Sequence, residues 1–402
     1  MGADLAHASA WTLGRAEERL FRGLDGPGAG GVAARLARTL LFDAPVAWWL
    51  GVAQHEAFGH GGRARELGSS ASVHLGSPWG GRESFASFDP DGLSNEDLLR
   101  VYTGGSESNG WTATRLERRL VAGDTMHPME LLLLAGSRFV TSDYVLRTTP
   151  DPRREPARFF AEWQGGGDVA NYLGFLHRRF EPTAGIAPGG STHGVIRQWR
   201  RLRRQAIWNA LDPGAWLSLA AVGGAVYSGG EPIHPALPRL RGRTFLPVLS
   251  SDWLPDGGVA SLEILIGPKS ASGGTIRQTD RAAGPADSSV EGARAGGAQP
   301  PGAARWMAFT MRRGRGPEGA LGAIGAATER LLDAGPVRLG GEAEIWTRSR
   351  HGPGGGARLR FNAARGLWRG LFLDAGVKSD GHWPGRPAAT GPFVLIGVEF
   401  PG

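Results

Sequence analysis

Two histidines and a glutamate lie within one short string, His55-Glu56-Ala57-Phe58-Gly59-His60, which directly follows an apolar run. Neutral imidazole nitrogens are common zinc ligands, and a carboxylate beside them can take a proton from metal-bound water. Such histidines are usually four residues apart, on one face of a helix. A spacing of five turns them about 140° apart on a regular helix, but a one-residue π-bulge would bring them together. The string therefore predicts a catalytic zinc site, with His55 and His60 as ligands and Glu56 as general base.

The same string resembles the His-Glu-x-x-Gly-His signature of the dipeptidyl-peptidase III family of zinc peptidases. The resemblance covers six residues of 402, so it implies a zinc hydrolase and not the exopeptidase specificity of that family. Gly59, which precedes the second histidine, is a residue that tolerates a distorted helix. The alternative interpretation is a chance cluster, or two histidines that cap a buried helix.

A catalytic zinc site needs a third protein ligand and an open position for water. Glu107 is the first candidate, because it follows Gly104 and Gly105 and precedes residues 111–120, which have helical spacing. This layout is similar to the wider Glu-zincin plan, in which a second helix supplies a glutamate to the zinc. The alternative is that Glu107 only begins that helix, where acidic residues are common. The reserve ligands are His74, Asp124 and His127.

Four further polar side chains are candidates for holding a ligand or binding the substrate. Asn109 lies two residues after Glu107, where an amide can orient a ligand or contact a substrate backbone. A tyrosine hydroxyl can stabilise the negative charge on a reacting carbonyl oxygen. The sequence does not choose among three tyrosines for this role: Tyr102, Tyr144 and Tyr172.

Helical spacing of apolar residues runs through the first half of the chain, and we predict a helical metal-binding catalytic domain over residues 1–228. One predicted helix, 45–66, contains both histidines. Two separate helices, 95–102 and 112–121, are expected on either side of the glycines that precede Glu107. A zinc-peptidase core of this kind would hold the metal between packed helices.

The pattern changes to period-two alternation after residue 229, which predicts an α+β chain whose second domain, residues 229–402, is an antiparallel sheet or barrel of about eight strands. Residues 267–304 are rich in Gly, Ala and Ser and are expected to form a disordered loop. The strands are predicted at 245–253, 259–266, 305–313, 320–331, 337–348, 358–364, 367–378 and 393–400.

Several of these strands approach the 9–11 residues that a membrane strand requires, and most carry charge on only one face. The C-terminal half thus resembles bacterial outer-membrane β-barrel proteins, and the near-terminal Phe400 looks like the ending of many of them. The resemblance implies membrane lipid as a partner. The alternative is a soluble antiparallel sheet with its charges facing water. The N-terminal residues have no signal-peptide apolar region, so we expect any targeting segment to lie outside this chain.

The net charge of +7 comes mainly from arginine, and the chain has no cysteine, which excludes disulfides and thiolate metal sites. A basic cluster can bind nucleic acid, anionic lipid or nothing in particular. No nucleic-acid reading motif accompanies this one, so nucleic acid is not an expected partner. It leads into an apolar segment with tryptophans, which is typical of a membrane interface, although a solvated helix face is equally compatible. The clustered residues are Arg153, Arg154, Arg178, Arg179, Arg197, Arg200, Arg201, Arg203 and Arg204.

These features together predict a zinc metallopeptidase associated with a bacterial envelope membrane, in particular the outer membrane, with a peptide or protein as substrate. Two alternatives remain open on the sequence alone. One is a zinc hydrolase of a lipid or another amide or ester, with the same metal site and a different pocket. The other is a non-enzymatic envelope barrel whose histidine-rich helix is structural.

Overall fold

Helices fill the first half of the chain and strands the second, which confirms the α+β prediction. The computed structural model describes residues 2–21, 26, 28–81, 83–180, 193–229, 233, 235–269, 306–334, 337–348, 352–363, 371–381, 383–384, 386–387 and 389–398. Its helices are α1 (Gly2–Phe21), α2 (Gly28–Arg38), α3 (Ala44–Ala53), α4 (Gly61–Glu66), α5 (Asn95–Ala122), α6 (Pro128–Asp143), α7 (Pro156–Gly165), α8 (Asp168–Phe180), α9 (His193–Ala210) and α10 (Pro213–Ser228). Three π-helical turns join or extend them: π1 (Thr39–Asp43), π2 (Gln54–His60) and π3 (Tyr144–Thr148).

The strands form a small hairpin and one large sheet. The hairpin pairs β1 (Ala71–His74) with β2 (Phe85–Phe88). The sheet has nine antiparallel strands in sequential order: β3 (Arg239–Leu240), β4 (Arg243–Leu254), β5 (Gly257–Lys269), β6 (Met307–Gly316), β7 (Gly319–Ala334), β8 (Val337–Arg348), β9 (Gly352–Ala363), β10 (Leu371–Lys378) and β11 (Gly391–Val398). Within the described residues the sheet is open, with β3 and β11 as its edges.

All eight predicted strands are present, because alternating burial leaves a clear period-two pattern in the sequence. The structure adds the two-residue strand β3 and the hairpin β1–β2. The predicted disordered loop lies outside the described residues, apart from residues 267–269, which end β5. Residues 305, 364, 367–370 and 399–400 of the predicted strands, including the near-terminal Phe400, also lie outside the described residues.

The loop predicted between two helices around Gly104 is wrong, since α5 is a single helix of 28 residues. It begins at a capping box between Ser94 and Asp97, and it ends at Gly123, whose φ of 83° lies in the left-handed region. Glycines inside a helix cost about 1 kcal/mol each relative to alanine. Gly104 and Gly105 lie inside α5 where it contacts turn π2 so closely that a side chain would not fit.

The helices and the sheet share a hydrophobic core. One cluster joins α1, α3, α5, α6 and α10 to residues of β4, β5 and β6, among them Leu246, Leu265 and Ala308. A second cluster packs α7, α8 and α9 around Trp253 of β4. The predicted boundary at residues 228/229 falls where α10 ends, at Ser228. The core nevertheless continues across that boundary.

The inward face of the large sheet carries charged side chains beside the core residues of β4 to β6, and its outward face is apolar. On the covered side, Arg118 of α5 donates to Glu263 at 3.0 Å, and the guanidinium group of Arg386 lies over the ring of Trp111 of α5. The inward side chains include Glu263, Arg312, Glu342, Glu344, Arg358, Arg360, Asp374 and Lys378. The outward side chains include Leu262, Ile264, Phe309, Met311, Ile324, Leu339, Ile345, Leu359, Phe361, Leu373, Val377, Val394 and Ile396. This polarity is the reverse of that expected for a sheet whose outer face meets water.

A second exposed apolar surface lies at the junction of α9 and α10. We call it the aromatic rim, and it consists of Ile207, Trp208, Leu211 and Trp216. Leu211 is 59% exposed and Trp216 is 56% exposed. Among the described helices, none has the length and apolarity needed to cross a membrane.

Candidate metal centre

The two histidines of the motif lie on a π-helical turn, as the five-residue spacing predicts. Turn π2 continues α3 and carries Gln54 to His60. The wider turn brings the imidazole rings of His55 and His60 within 4.7 Å of each other, centroid to centroid. Their Nε2 atoms are 3.1 Å apart. Because π-helical turns occur mostly at functional sites, this local geometry favours a site over a chance cluster.

Turn π2 packs directly on the backbone of α5 through glycines. A Cβ atom on Gly59 would lie 2.6 Å from the Cα atom of Gly105 and 2.7 Å from the carbonyl oxygen of Gly104. A Cβ atom on Gly105 would overlap the Nε2 atoms of both histidines. Gly59 thus permits a close helix contact, and its backbone φ stays in the ordinary range. The three glycines leave the space between the imidazoles and α5 open.

The third ligand atom near the imidazoles belongs to Asp168, the first residue of α8. Its Oδ2 atom lies 2.9 Å from His55 Nε2 and 3.2 Å from His60 Nε2. Tetrahedral zinc with bonds of about 2.0–2.1 Å would hold neighbouring ligand atoms about 3.3 Å apart. The three observed spacings are close to this value. His55, His60 and Asp168 therefore form a group that could hold a metal. The Asp168 side chain is 14% exposed, and those of His55 and His60 are 4% and 5% exposed.

The hydrogen bonds behind the imidazoles favour metal binding through Nε2. His60 Nδ1 donates to the carbonyl oxygen of Val101 at 2.8 Å, which leaves Nε2 of the neutral ring without a proton. His55 Nδ1 lies 3.0 Å from Asn109 Nδ2, and Asn109 Oδ1 is buried without a partner among the described residues. Turning this amide by 180° lets Oδ1 accept from His55 Nδ1 and satisfies both groups. His55 Nε2 is then also free to bind a metal.

The electrostatics of the group favour a positive charge at its centre. Burial alone lowers the pKa of His60, but the carboxylates of Asp168 and Glu56 and the Val101 carbonyl raise it to about 9. Burial raises the pKa of Asp168, but His60 and His55 together hold it well below its usual range. A proton or a metal cation can supply the charge that these ligands attract.

Glu56 is buried beside the group and is held by the β1–β2 hairpin. Its carboxylate accepts a hydrogen bond from the backbone N–H of Ala86 in β2. Burial raises the pKa of Glu56, against the lowering effect of His55 and His60, and Asp168 raises it further. A carboxylate with a raised pKa is suited to accept and return a proton.

Glu107 points to a different partner. Its carboxylate accepts hydrogen bonds from the Arg63 guanidinium group at 2.6 and 3.3 Å. The structure therefore brings Asp168, and not Glu107, to the imidazoles. Because α5 continues through Gly105, the backbone of α5 approaches the histidines at Gly105, two residues before Glu107.

The reserve ligands also lie elsewhere. His74 stacks on Phe85 in the hairpin, and Asp124 pairs with Arg119 at 3.4 Å. His127 caps α6 and belongs, with Glu17 and Asp43, to the other group among the described residues that could hold a metal. In that group the Arg38 guanidinium lies 2.8 Å from Glu17, so a positive charge is already supplied.

Two of the three predicted tyrosines lie at the candidate centre. The ring of Tyr144 stacks on His55 with centroids 5.5 Å apart, and Tyr102 meets the edge of His60 at 6.4 Å. Burial, together with the charge of Asp168, raises the pKa of both hydroxyls, so both remain proton donors. Tyr172 instead donates to the Leu254 carbonyl oxygen at 2.9 Å and stacks on Trp253, so it contributes to the core.

Asp168 is the site residue that the sequence did not reveal. It is 113 positions from His55, and an acidic residue at the start of a helix is ordinary because it favours the helix dipole. The available signal was the run of glycines before it. Helix α7 ends at Gly166, whose φ of 98° makes the sharp turn that brings α8 back over α5.

Comparison of the chain with protein-family models, with curated proteins and with solved structures gives no match.

Proposed function

We propose that this protein is a zinc-dependent hydrolase, and in particular a membrane-associated metallopeptidase, that holds zinc with His55, His60 and Asp168. The observation that carries the proposal is the convergence of three ligand atoms, each within 3.2 Å of the other two, beside a buried glutamate. Asp168 replaces Glu107 in the ligand set predicted from the sequence. Three protein ligands leave a fourth position for water, as a catalytic zinc site requires.

The residues around the group divide the work of hydrolysis. Bound zinc would supply Lewis-acid activation of water at this site. Glu56 takes the proton that the attacking water loses and returns it to the leaving amine. Tyr144 and Tyr102, whose rings lie against the two imidazoles, are the hydroxyl donors that we assign to the oxyanion on the substrate carbonyl. Asn109 and the Val101 carbonyl hold the two imidazoles in the tautomers that bind metal.

Metal analysis of purified protein tests the ligand set. We expect about one zinc per chain in the wild type. His55→Ala and Asp168→Ala should lose zinc, because each removes one of three ligands. Glu107→Ala is the matched control and should keep zinc, because that carboxylate is paired with Arg63. Loss of zinc in Glu107→Ala with retention in Asp168→Ala would restore the original assignment.

A single methyl group on α5 should close the site. We expect Gly105→Ala to reduce zinc content to near zero, because the new Cβ atom would occupy the space next to both Nε2 atoms. Alanine favours a helix interior, so loss of helix is not the expected cause. Gly110→Ala, in the same helix, is the control, since its Cβ would lie 3.5 Å from the nearest described atom, Asp252 Oδ1. The zinc content of Gly110→Ala, measured by inductively coupled plasma mass spectrometry, should match that of the wild type. Full zinc occupancy in folded Gly105→Ala would place the metal elsewhere.

The membrane part of the proposal rests on the polarity of the large sheet. Its outward side chains are apolar over at least seven adjacent strands, β5 to β11. Its inward charges are largely paired across neighbouring strands, and Glu263 of β5 is paired with Arg118 of α5. Arg313 and Arg315 also face outward, but they lie at the hairpin end of β6, where a strand would leave the lipid. We therefore propose that this face contacts the lipid of a bacterial outer membrane.

The proposal includes the closed barrel predicted from the sequence. Strands β3 and β11 are the edges of the described sheet. Unpaired backbone groups at such edges are costly in lipid, so the edges would meet or be covered there.

A further inference from the structure

An arginine-lined concavity lies in the helical half of the chain, and none of its lining residues belongs to the candidate metal centre. It has a volume of about 310 Å³ and is formed by the segment before α7 and by one face of α9. We call it the arginine pocket. Its lining residues are Asp151, Arg153, Arg154, Trp199, Arg200, Arg203 and Arg204. Arg203 lies over the ring of Trp199 at 4.7 Å, so that part of the wall is held in place.

The pocket carries more positive charge than its own carboxylate can balance. Asp151 is 3.8 Å from Arg153 and 3.9 Å from Arg154. In the part of the chain that the structure describes, no carboxylate pairs with Arg200, Arg203 or Arg204. The neighbouring Arg201 has a lowered pKa, first because of burial and then because of the adjacent charges of Arg315, Arg197 and Arg204. The site therefore favours an anion.

The pocket borders the aromatic rim along a single helix face. On α9, Arg197, Arg200 and Arg204 are exposed, and the same face continues with Ile207, Trp208 and Leu211. The change from charged to apolar takes one helical turn, about 5.4 Å. Basic residues followed by exposed aromatic and aliphatic residues are typical of the boundary between headgroups and acyl chains.

We propose that the arginine pocket binds the phosphate of an anionic lipid headgroup whose acyl chains lie against the aromatic rim. Guanidinium groups suit this role because they bind phosphate oxygens through two parallel hydrogen bonds. The proposal does not depend on the metal site. It goes beyond general membrane association because it assigns a headgroup charge and the residues that recognise it.

The test measures lipid binding by the purified 402-residue chain in a neutral detergent. Short-chain phosphatidylglycerol and phosphatidylcholine, which differ in net charge, are titrated by calorimetry. Wild type should bind the anionic lipid more tightly. Arg200→Gln/Arg204→Gln should weaken that binding by about 30-fold, which corresponds to two basic side chains at an anionic surface. The control is Arg15→Gln/Arg19→Gln on α1, which removes the same charge from another exposed surface and should leave binding unchanged.

Equal affinity of the wild type for the two lipids, or unchanged binding in the pocket variant, would overturn the proposal. It would also be overturned if inorganic phosphate competed as effectively as the lipid, or if a single-stranded oligonucleotide bound more tightly than the lipid. Zinc content measured on the same samples separates this proposal from the hydrolase. A pocket variant that loses lipid selectivity and keeps its zinc supports the headgroup site. A wild type that has lipid selectivity and no zinc contradicts the hydrolase alone.

Discussion

Glu56→Gln should lower peptide hydrolysis by about 10²–10⁴-fold while the protein keeps its zinc, because glutamine has the size of glutamate but cannot take a proton from water. The carboxylate is buried beside the imidazoles, and it accepts from the Ala86 N–H, a contact that a glutamine oxygen can also make. The measurement is initial-rate cleavage of a fluorescence-quenched peptide library, with zinc content determined on the same sample.

Glu66→Gln is the matched control for this prediction. Glu66 ends α4 and pairs with Arg63 at 2.6 Å, outside the candidate centre. The peptide hydrolysis rate of Glu66→Gln should therefore stay close to that of the wild type. Wild-type rates in Glu56→Gln would remove Glu56 as the general base. A zinc-loaded wild type that cleaves ester probes and no peptide would transfer the site to another class of hydrolase.

Lysines on the outer face of the sheet should abolish membrane association. Phe309, Ile324 and Ile345 lie on the adjacent strands β6, β7 and β8 and are 52%, 57% and 62% exposed. In lipid, each lysine would cost about 2–4 kcal/mol near the bilayer centre. Phe309→Lys/Ile324→Lys/Ile345→Lys should therefore fail to float with phosphatidylcholine vesicles after a carbonate wash. In water, the same substitutions at exposed positions would each change stability by only about 0.5 kcal/mol.

Thr347→Lys is the control for the sheet. Thr347 is on the same face of β8 as Ile345 but one residue from the strand end, where a charge costs about 0–1 kcal/mol. It should float like the wild type. A wild type that is monodisperse without detergent, together with a triple variant of unchanged behaviour, would assign the apolar face to a protein contact or to solvent.

The strands were predictable because the two faces of the sheet have different environments, so polar and apolar residues alternate along each strand. In β8, Glu342 and Glu344 face inward while Ala343 and Ile345 face outward. The alternation shows that the two faces differ, and it does not show which face is covered. That choice depends on α5, whose Arg118 reaches Glu263, and such a contact has no signature in either segment alone.

Of the three candidate ligands, the sequence predicted only the two that are close together in the chain. The spacing of His55 and His60 requires a π-helical turn to bring the two imidazoles together, and the turn is present. Asp168 joins them only because α7 ends at Gly166 and α8 returns over α5, which is a matter of tertiary packing. A pair of glycines such as Gly104 and Gly105 can indicate either a break in a helix or a close contact between helices. Helix propensity favoured a break, but the structure has a continuous helix that contacts Gly59.

The ion pairs on the covered face of the sheet also determine how faithfully its strands must align. Arg358 of β9 donates to Glu342 of β8 and to Asp374 of β10, each at 2.8 Å, and Arg360 lies directly opposite Asp374. A shift of one residue would turn both arginines of β9 to the opposite face. In the proposed lipid setting, that error would cost about 2–4 kcal/mol for each arginine and would leave their partners unpaired. In lipid, the correct strand register would thus be favoured over a shifted one by the cost of exposing these arginines as well as by the ion pairs themselves.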